Sequence, residues 1–394
     1  MFVSSFARNR NFIGLLAANT ILGSAMPLLI ILGGLAGLML APTTALATIP
    51  ASIQTLAGLF AAAPFSLLMG RFGRKTGFLI GGALAILGAV IGTWAMISGS
   101  FFLLCIAHLA LGAALSCFQY FRFAAAEVVS TEWQPVAISL MLTSGLIAAF
   151  VGPQVFITAK DALAPVPLAG AYAAIGVMSL VGLAPLALVR IPKVKPTAQR
   201  RLGSRFAALG VLKQGPVRTA VGIGAVSQGI MVFLMVPTPL AMIGCGFSEA
   251  VAGDVIRWHV VAMFAPSFFT GFLIKRFGSR RISTTGLVLL IMAAIAAAMG
   301  LTSVHFYGSL ILLGVGWNFG FIGATTMLAD AVPAEEKSVV QGVNDTVIAM
   351  VSTVCAFAAG MIIAGFGWAI LAVVALVVLV LALASQMFGQ RQAA

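Results

Sequence analysis

Charged side chains are scarce in this chain: Asp, Glu, Lys and Arg make up 8% of its 394 residues, against about 25% in ordinary soluble proteins. The acids are scarcest, nine facing 22 basic residues. A surface so short of charge excludes a soluble enzyme, a secreted ligand trap and a DNA-binding module. The chain has three histidines and four cysteines, Cys105, Cys117, Cys245 and Cys355, and no Cys-x-x-Cys pair. That is too little for a closed zinc site or a disulfide framework. There is no Gly-rich Walker loop, no Gly-x-Ser-x-Gly and no His-Glu-x-x-His. These gaps argue against an enzyme, an organic cofactor and a nucleotide-driven pump.

Apolar residues are abundant, at 61% with a mean hydropathy of +1.13. They fall in long runs bounded by charge and turn signals. The runs predict spans near 11–39, 44–69, 77–97, 100–122, 134–157, 167–189, 217–243, 248–274, 282–302, 304–327, 337–364 and 366–388. At about 20 residues per crossing, twelve helices use roughly 240 residues and leave no room for a sizeable extramembrane domain. The fold class expected is therefore all-α and integral to a membrane, with the lipid bilayer as a partner. The first run, Asn11 to about Met39, is too long for the apolar region of a cleavable signal peptide. The many Gly and Pro residues inside the runs are tolerated in a membrane, where small residues let helices approach and neighbours re-satisfy freed backbone groups.

With both termini in the cytoplasm, every Lys and Arg except Lys160 and Arg257 falls on the inner side. That bias fixes the orientation expected, and it accounts for the net charge of +13 without nucleic acid. The one long connection, 190–216, is basic and carries Pro192 and Pro196. It separates an N-terminal six-span bundle, 1–189, from a C-terminal one, 217–394. Arg71-Phe72-Gly73-Arg74-Lys75 after span two is echoed by Arg276-Phe277-Gly278-Ser279-Arg280 after span eight, which indicates two related halves.

This organisation resembles the major facilitator superfamily of secondary transporters, whose signature between spans two and three is close to G-x-x-x-D-R-x-G-R-R/K. Arg71, Gly73, Arg74 and Lys75 match its second part, with Ser66 and Gly70 at the positions of the Gly and Asp. In the second half Gly271, Arg276, Gly278 and Arg280 match, while Lys275 stands where the Asp belongs and Ser279 where an Arg does. The resemblance implies alternating access, with these loops controlling conformation, although the missing acids leave the usual charge latch in question. Arg122 and Glu127, and Asp330, Glu335 and Glu336, are candidates for ion pairs between the halves at the inner face, or for solvated loops.

Cargo in such a carrier binds near the midplane, so polar or soft groups within spans are the candidates. Met231 and Met235 on span seven, and His259 and Met263 on span eight, are each four apart, hence about 6 Å apart along one helix face. Three thioethers and an imidazole with no carboxylate suit Cu(I). Among 17 Met, chance gives roughly one Met-x-x-x-Met pair but only about 0.1 His-x-x-x-Met pairs. The plain alternative is that methionine fills apolar gaps.

Both motifs, in order and spacing, resemble the CcoA-like, or CalT, group of copper-importing major facilitators. That resemblance implies a monomeric carrier in the bacterial cytoplasmic membrane. Its substrate would be a copper ion, bound by Met231, Met235, His259 and Met263 and delivered for cbb3-type cytochrome oxidase assembly, with a copper chaperone or assembly factor as partner. Cys245 is matched as a further metal relay. Asp254 and Arg257, three apart, are candidates to pair and to orient or tune His259, or else wet groups near the outer membrane face, and Asp254 and Asp345 are nominal proton carriers. Asn19, Gln54, His108, Gln119, Gln228, Asn318, Asn344 and Asp345 are candidates to line the cavity, cap helix breaks or tie helices together, with structural hydrogen bonding the expected role. Two other functions fit the sequence: a major facilitator carrier of a small organic compound, with Met as pocket lining, and a non-transporting copper-binding assembly factor.

Overall fold

The computed structural model of the chain describes residues 9–43, 46, 49–191, 210–211 and 213–391. Most of the basic connection predicted at 190–216 lies outside the described residues, as do both chain ends. Among the described residues there are twelve helices long and apolar enough to cross a membrane: α1 (Arg10–Leu40), α2 (Ile49–Phe72), α3 (Arg74–Ser98), α4 (Phe101–Glu127), α5 (Thr131–Ala159), α6 (Ala169–Leu188), α7 (Gly215–Met235), α8 (Val251–Phe277), α9 (Ser279–Met299), α10 (Ser303–Ala331), α11 (Lys337–Ile363) and α12 (Gly365–Gln386). Helix is what such runs must form, because lipid offers no partner to a backbone N–H or C=O. The protein is a multi-pass, all-α membrane protein.

The chain divides into two compact units, one of Met1–Ser130, Ser144–Gln199 and Gln341–Val343, the other of Thr131–Thr143, Arg200–Val340 and Asn344–Ala394. In the first, α4 packs against α2 and α3, and α6 packs against α1 and α3. In the second, α10 is the hub, lying against α7, α8 and α9, and 72% of its apolar window is buried. The α9–α10 contact is backbone on backbone, since a Cβ on Gly286 would run into Gly316 and Gly320. Small residues at such a crossing permit the close approach that drives helix association in lipid.

Several predicted spans are broken, and local chemistry explains most of the breaks. The run read as 217–243 stops at Met235, and a short helix, Thr238–Gly244, follows. Pro237 and Pro239 lack the N–H that would continue the ladder. Pro266 likewise divides α8 into Glu249–Phe264 and Ser267–Phe277. Helix α4 runs on past the predicted 122 to Glu127, with a turn near Gln119.

The sequence echo is also an echo of backbone. Gly73 (φ 95°, ψ 155°) and Gly278 (φ 88°, ψ 148°) are the N-caps of α3 and α9, in a region that excludes a side chain. In each case the preceding Arg lies 5.2 Å from the centroid of the neighbouring Phe ring, Arg71 on Phe72 and Arg276 on Phe277.

Candidate functional site

Helices α7, α8 and α10 bring the two motifs of the second unit together. Met231 and Met263 are buried with Trp317 and Phe321 of α10 in one cluster, and Met235, Phe264, Val232, Leu142 and Ile348 pack around it. Trp317 stacks on Phe321 with centroids 5.1 Å apart and planes 15° from parallel. Phe264 meets the Trp317 ring edge-on at 5.7 Å. Two thioethers thus lie among aromatic rings, a contact favourable in itself. Trp317 and Phe321 lie four apart on α10, a spacing the sequence reading passed over in favour of sulfur and imidazole.

The indole N–H of Trp317 donates to Gln228 Oε1 at 2.7 Å. Asn318, the next residue, faces the other way, where its Nδ2 donates to the Met263 carbonyl and to Ser267 Oγ, both at 2.6 Å, and its Oδ1 accepts from Thr270 Oγ1 at 2.7 Å. Those bonds hold α8 to α10 on both sides of the Pro266 break, where backbone groups have lost their helical partners.

His259 is fully buried, with Nδ1 2.7 Å from the Leu310 carbonyl. A carbonyl only accepts, so Nδ1 carries the proton and Nε2 presents a lone pair. Nε2 has no hydrogen-bond partner among the described residues. Met263 follows one turn along α8.

The other predicted residues are dispersed. Asp254 and Arg257 do pair, at 3.0 Å, but the second Asp254 oxygen accepts from Tyr307 at 2.7 Å. The hydrogen bond that orients His259 goes to the Leu310 carbonyl, not to this pair. Cys245 is exposed at the end of the short helix Thr238–Gly244, apart from the buried cluster. Asp345 is buried and accepts from the neighbouring Asn344 at 2.8 Å.

In the first unit, Arg74 and Glu127 form an ion pair at 2.7 Å. Glu127, expected to bridge the halves, is therefore engaged by a residue of its own unit. Arg122 is buried and donates to Gln119 at 3.3 Å, so it is no solvated loop residue. Lys75 belongs to the first turn of α3 and donates to the Ala187 and Val189 carbonyls. Ser279 occupies the position matching Arg74, and Lys275, where an acid was expected, pairs with Glu132 at 3.2 Å and sits 3.5 Å from the Trp133 ring centroid. Gly271 lies against Val136 and Pro135 and donates its N–H to Ser139 Oγ at 2.9 Å. Arg280 lies in the first turn of α9, where its carbonyl accepts from Thr284.

A second buried polar group sits in the first unit. His108 is fully buried, with Nδ1 3.0 Å from Gln54 Oε1 and Nε2 2.8 Å from the Tyr172 hydroxyl. Gly112, one turn further along α4, makes room for the Gln54 backbone, which brings α2 close enough for this bond.

Residues 223–391 match the sequence model of the Major Facilitator Superfamily. The chain is 38% identical over 365 residues to the riboflavin transporter RfnT of Brucella anthropi, covering 92% of this chain and 91% of that one. It is 30% identical to YddS of Bacillus subtilis, an MFS-type transporter, over 82% of this chain and 78% of that one. Among solved structures it is similar to the major facilitator FucP, with a TM-score of 0.78 at 17% identity, covering 98% of this chain and all of that one.

Proposed function

The chain belongs to the major facilitator superfamily of membrane transporters, and from that premise we propose that it carries a small organic compound of the riboflavin type across the cytoplasmic membrane. The observation that carries this reading is the near end-to-end likeness to a riboflavin transporter. The buried cluster supports it chemically, because Trp317, Phe321, Met231 and Met263 make the apolar, aromatic lining that small-molecule sites use, with Gln228 as a polar group beside them. Transport as a monomer by alternating access, with both termini inside, is part of the same proposal. The likeness favours the organic-compound alternative over copper uptake and cytochrome oxidase assembly.

The test is uptake of radiolabelled riboflavin by cells that neither make nor import it, comparing this protein with an empty vector. Accumulation above the vector is the expected result. Its absence, with the protein present in the membrane, refutes the riboflavin assignment.

One observation keeps copper import as a second reading. His259 combines an Nδ1–H held by a backbone carbonyl with a buried, unpartnered Nε2, the arrangement in which a second hydrogen bond orients a metal-binding imidazole. Met263 on the same face, with Met231 and Met235 from α7, would supply soft sulfur to a copper substrate. Radioactive copper uptake lost in both Met231→Ala and His259→Ala at matched expression supports this reading. Uptake no greater than the vector removes it.

A further inference from the structure

The orientation of the Gln228 side chain follows from its partner. An indole N–H is a donor and has no acceptor atom. The atom 2.7 Å from Trp317 Nε1 must therefore be the amide oxygen, and the Gln228 NH₂ must point the other way, an assignment often ambiguous for an amide but settled here by chemistry. No hydrogen bond from that NH₂ is present among the described residues, and it is not sealed from solvent. Gln228 itself is half-buried, as are Phe264 and Met235 at the rim of the same cluster. Two fixed N–H donors thus stand beside a stacked pair of aromatic rings. Two buried thioethers, Met231 and Met263, complete the cluster.

We propose that this corner of the second unit is the recognition site for the transported solute. It takes a planar heteroaromatic ring whose edge carries carbonyl or ring-nitrogen acceptors. The proposal rests on the organic-carrier reading above and deepens it. A flat ring matches the half-buried Phe264 by offset or edge-on stacking, with Trp317, 5% exposed, packed behind it and holding the Gln228 amide. The polarizable sulfur of half-buried Met235 accepts the ring's apolar end, with Met231 and Met263 buried behind it. The Gln228 NH₂ reads the acceptor edge, and does so with little ordering cost because Trp317 already holds the amide. Such a site discriminates strongly against a ligand lacking the acceptors, since the donors are then left unmade. The isoalloxazine ring of riboflavin, with two carbonyls and ring nitrogens on one side and a dimethylbenzene on the other, belongs to this class. A polyol or sugar lacks the flat face the site is built on.

The experiment is equilibrium binding to the full-length protein in detergent, using riboflavin, lumiflavin (the isoalloxazine ring without the ribityl chain) and ribitol (the chain without the ring). Flavin fluorescence, quenched close to an indole, gives the readout, with equilibrium dialysis for ribitol. Three variants are compared at matched melting temperature: Trp317→Phe, Trp317→Ala and Gln228→Glu. The last keeps an oxygen for the Trp317 N–H while turning the ligand-facing donors into an acceptor. Expected are binding of both ring compounds but not ribitol, a loss of roughly tenfold or more in Trp317→Ala and in Gln228→Glu, and partial retention in Trp317→Phe. Lumiflavin bound with these losses while riboflavin is neither bound nor transported upholds the site and overturns the riboflavin reading. Riboflavin transported with affinity unchanged in Trp317→Ala and Gln228→Glu overturns the site and leaves that reading standing. Failure of both ring compounds to bind overturns the site.

Discussion

Replacing Glu127 by Ala tests a deeply embedded ion pair of the first unit. The Arg74 side chain is 7% exposed and that of Glu127 19%. Arg74 Nε donates to both carboxylate oxygens, at 3.1 and 3.2 Å, and Nη2 donates to Oε1 at 2.7 Å. Its remaining polar contacts are Gln341 Oε1, at 2.6 Å from Nη2, and the Met69 sulfur at 3.8 Å from Nη1. Losing the carboxylate leaves a buried cation with one good acceptor, and removing one partner of such a pair costs about 3 kcal/mol. Glu127→Gln keeps one acceptor oxygen and should cost about half as much. Removing both charges, as in Arg74→Met with Glu127→Leu, should recover most of the loss, because neither ion is then left buried alone. The assay is thermal melting of the purified protein in detergent, run as a double-mutant cycle. The reasoning is refuted if Glu127→Ala melts with the parent, or if the two single losses simply add in the double variant.

The ion pair beside the second Arg-Phe-Gly element should behave differently. Lys275 and Glu132 have side chains 33% and 64% exposed, so Glu132→Gln should cost less than about 1 kcal/mol, and a melting shift as large as that of Glu127→Ala would contradict it. Gly278 has φ 88° with open space around its Cβ position; Gly278→Ala should cost about 1–2 kcal/mol from backbone strain alone. A Cβ on Gly271 would lie 2.5 Å from Val136 Cα and 2.6 Å from the Pro135 carbonyl, so Gly271→Ala should lower the melting temperature further than Gly278→Ala; the reverse order would refute the packing argument. His108→Leu strands the Tyr172 hydroxyl and the Gln54 amide, a loss of about 2 kcal/mol, and adding Tyr172→Phe should restore part of it in the same melting assay.

What the sequence made legible was governed by one-dimensional chemistry. Span count follows from the length of apolar runs, and the paired Arg-Phe-Gly elements were readable because a residue type, glycine, stands where φ is positive at 73 and 278. The helix breaks at Pro237 and Pro266 were missed, because proline inside an apolar run was read as tolerated within one continuous span. The i,i+3 pair of Asp254 and Arg257 was legible, but the partner of Glu127 was not, since α4 and α3 meet only in the folded unit. Thus Glu127 was read as a contact between halves although Arg74 of its own half holds it. The candidate site was half visible. Met231 and Met263 were singled out for their sulfur and do share one cluster, but Trp317 and Phe321 looked like ordinary apolar residues of a span. Only the bond from Trp317 to Gln228 gives that pair a chemical direction.

The same residues therefore bear on two chemistries, and their partners weigh between them. Copper needs lone pairs that converge, and two of the four predicted ligands, Met231 and Met263, already pack against rings. Cys245 and Asp254 do not reinforce a metal site: one is exposed elsewhere and the other is tied to Arg257 and Tyr307. Thioethers against aromatic rings are, by contrast, a finished apolar surface needing no metal to complete it. Among the predicted ligands, His259 is the group whose environment suits a metal. It also allows the two readings to be separated cleanly, because it plays no part in the ring-recognition site. His259→Leu should abolish a copper-dependent flux and leave flavin affinity within about twofold, a change of no more than roughly 0.4 kcal/mol. A tenfold loss of flavin binding in His259→Leu, with the fold intact, would mean that the imidazole belongs to the organic site and that the two chemistries cannot be assigned to separate residues.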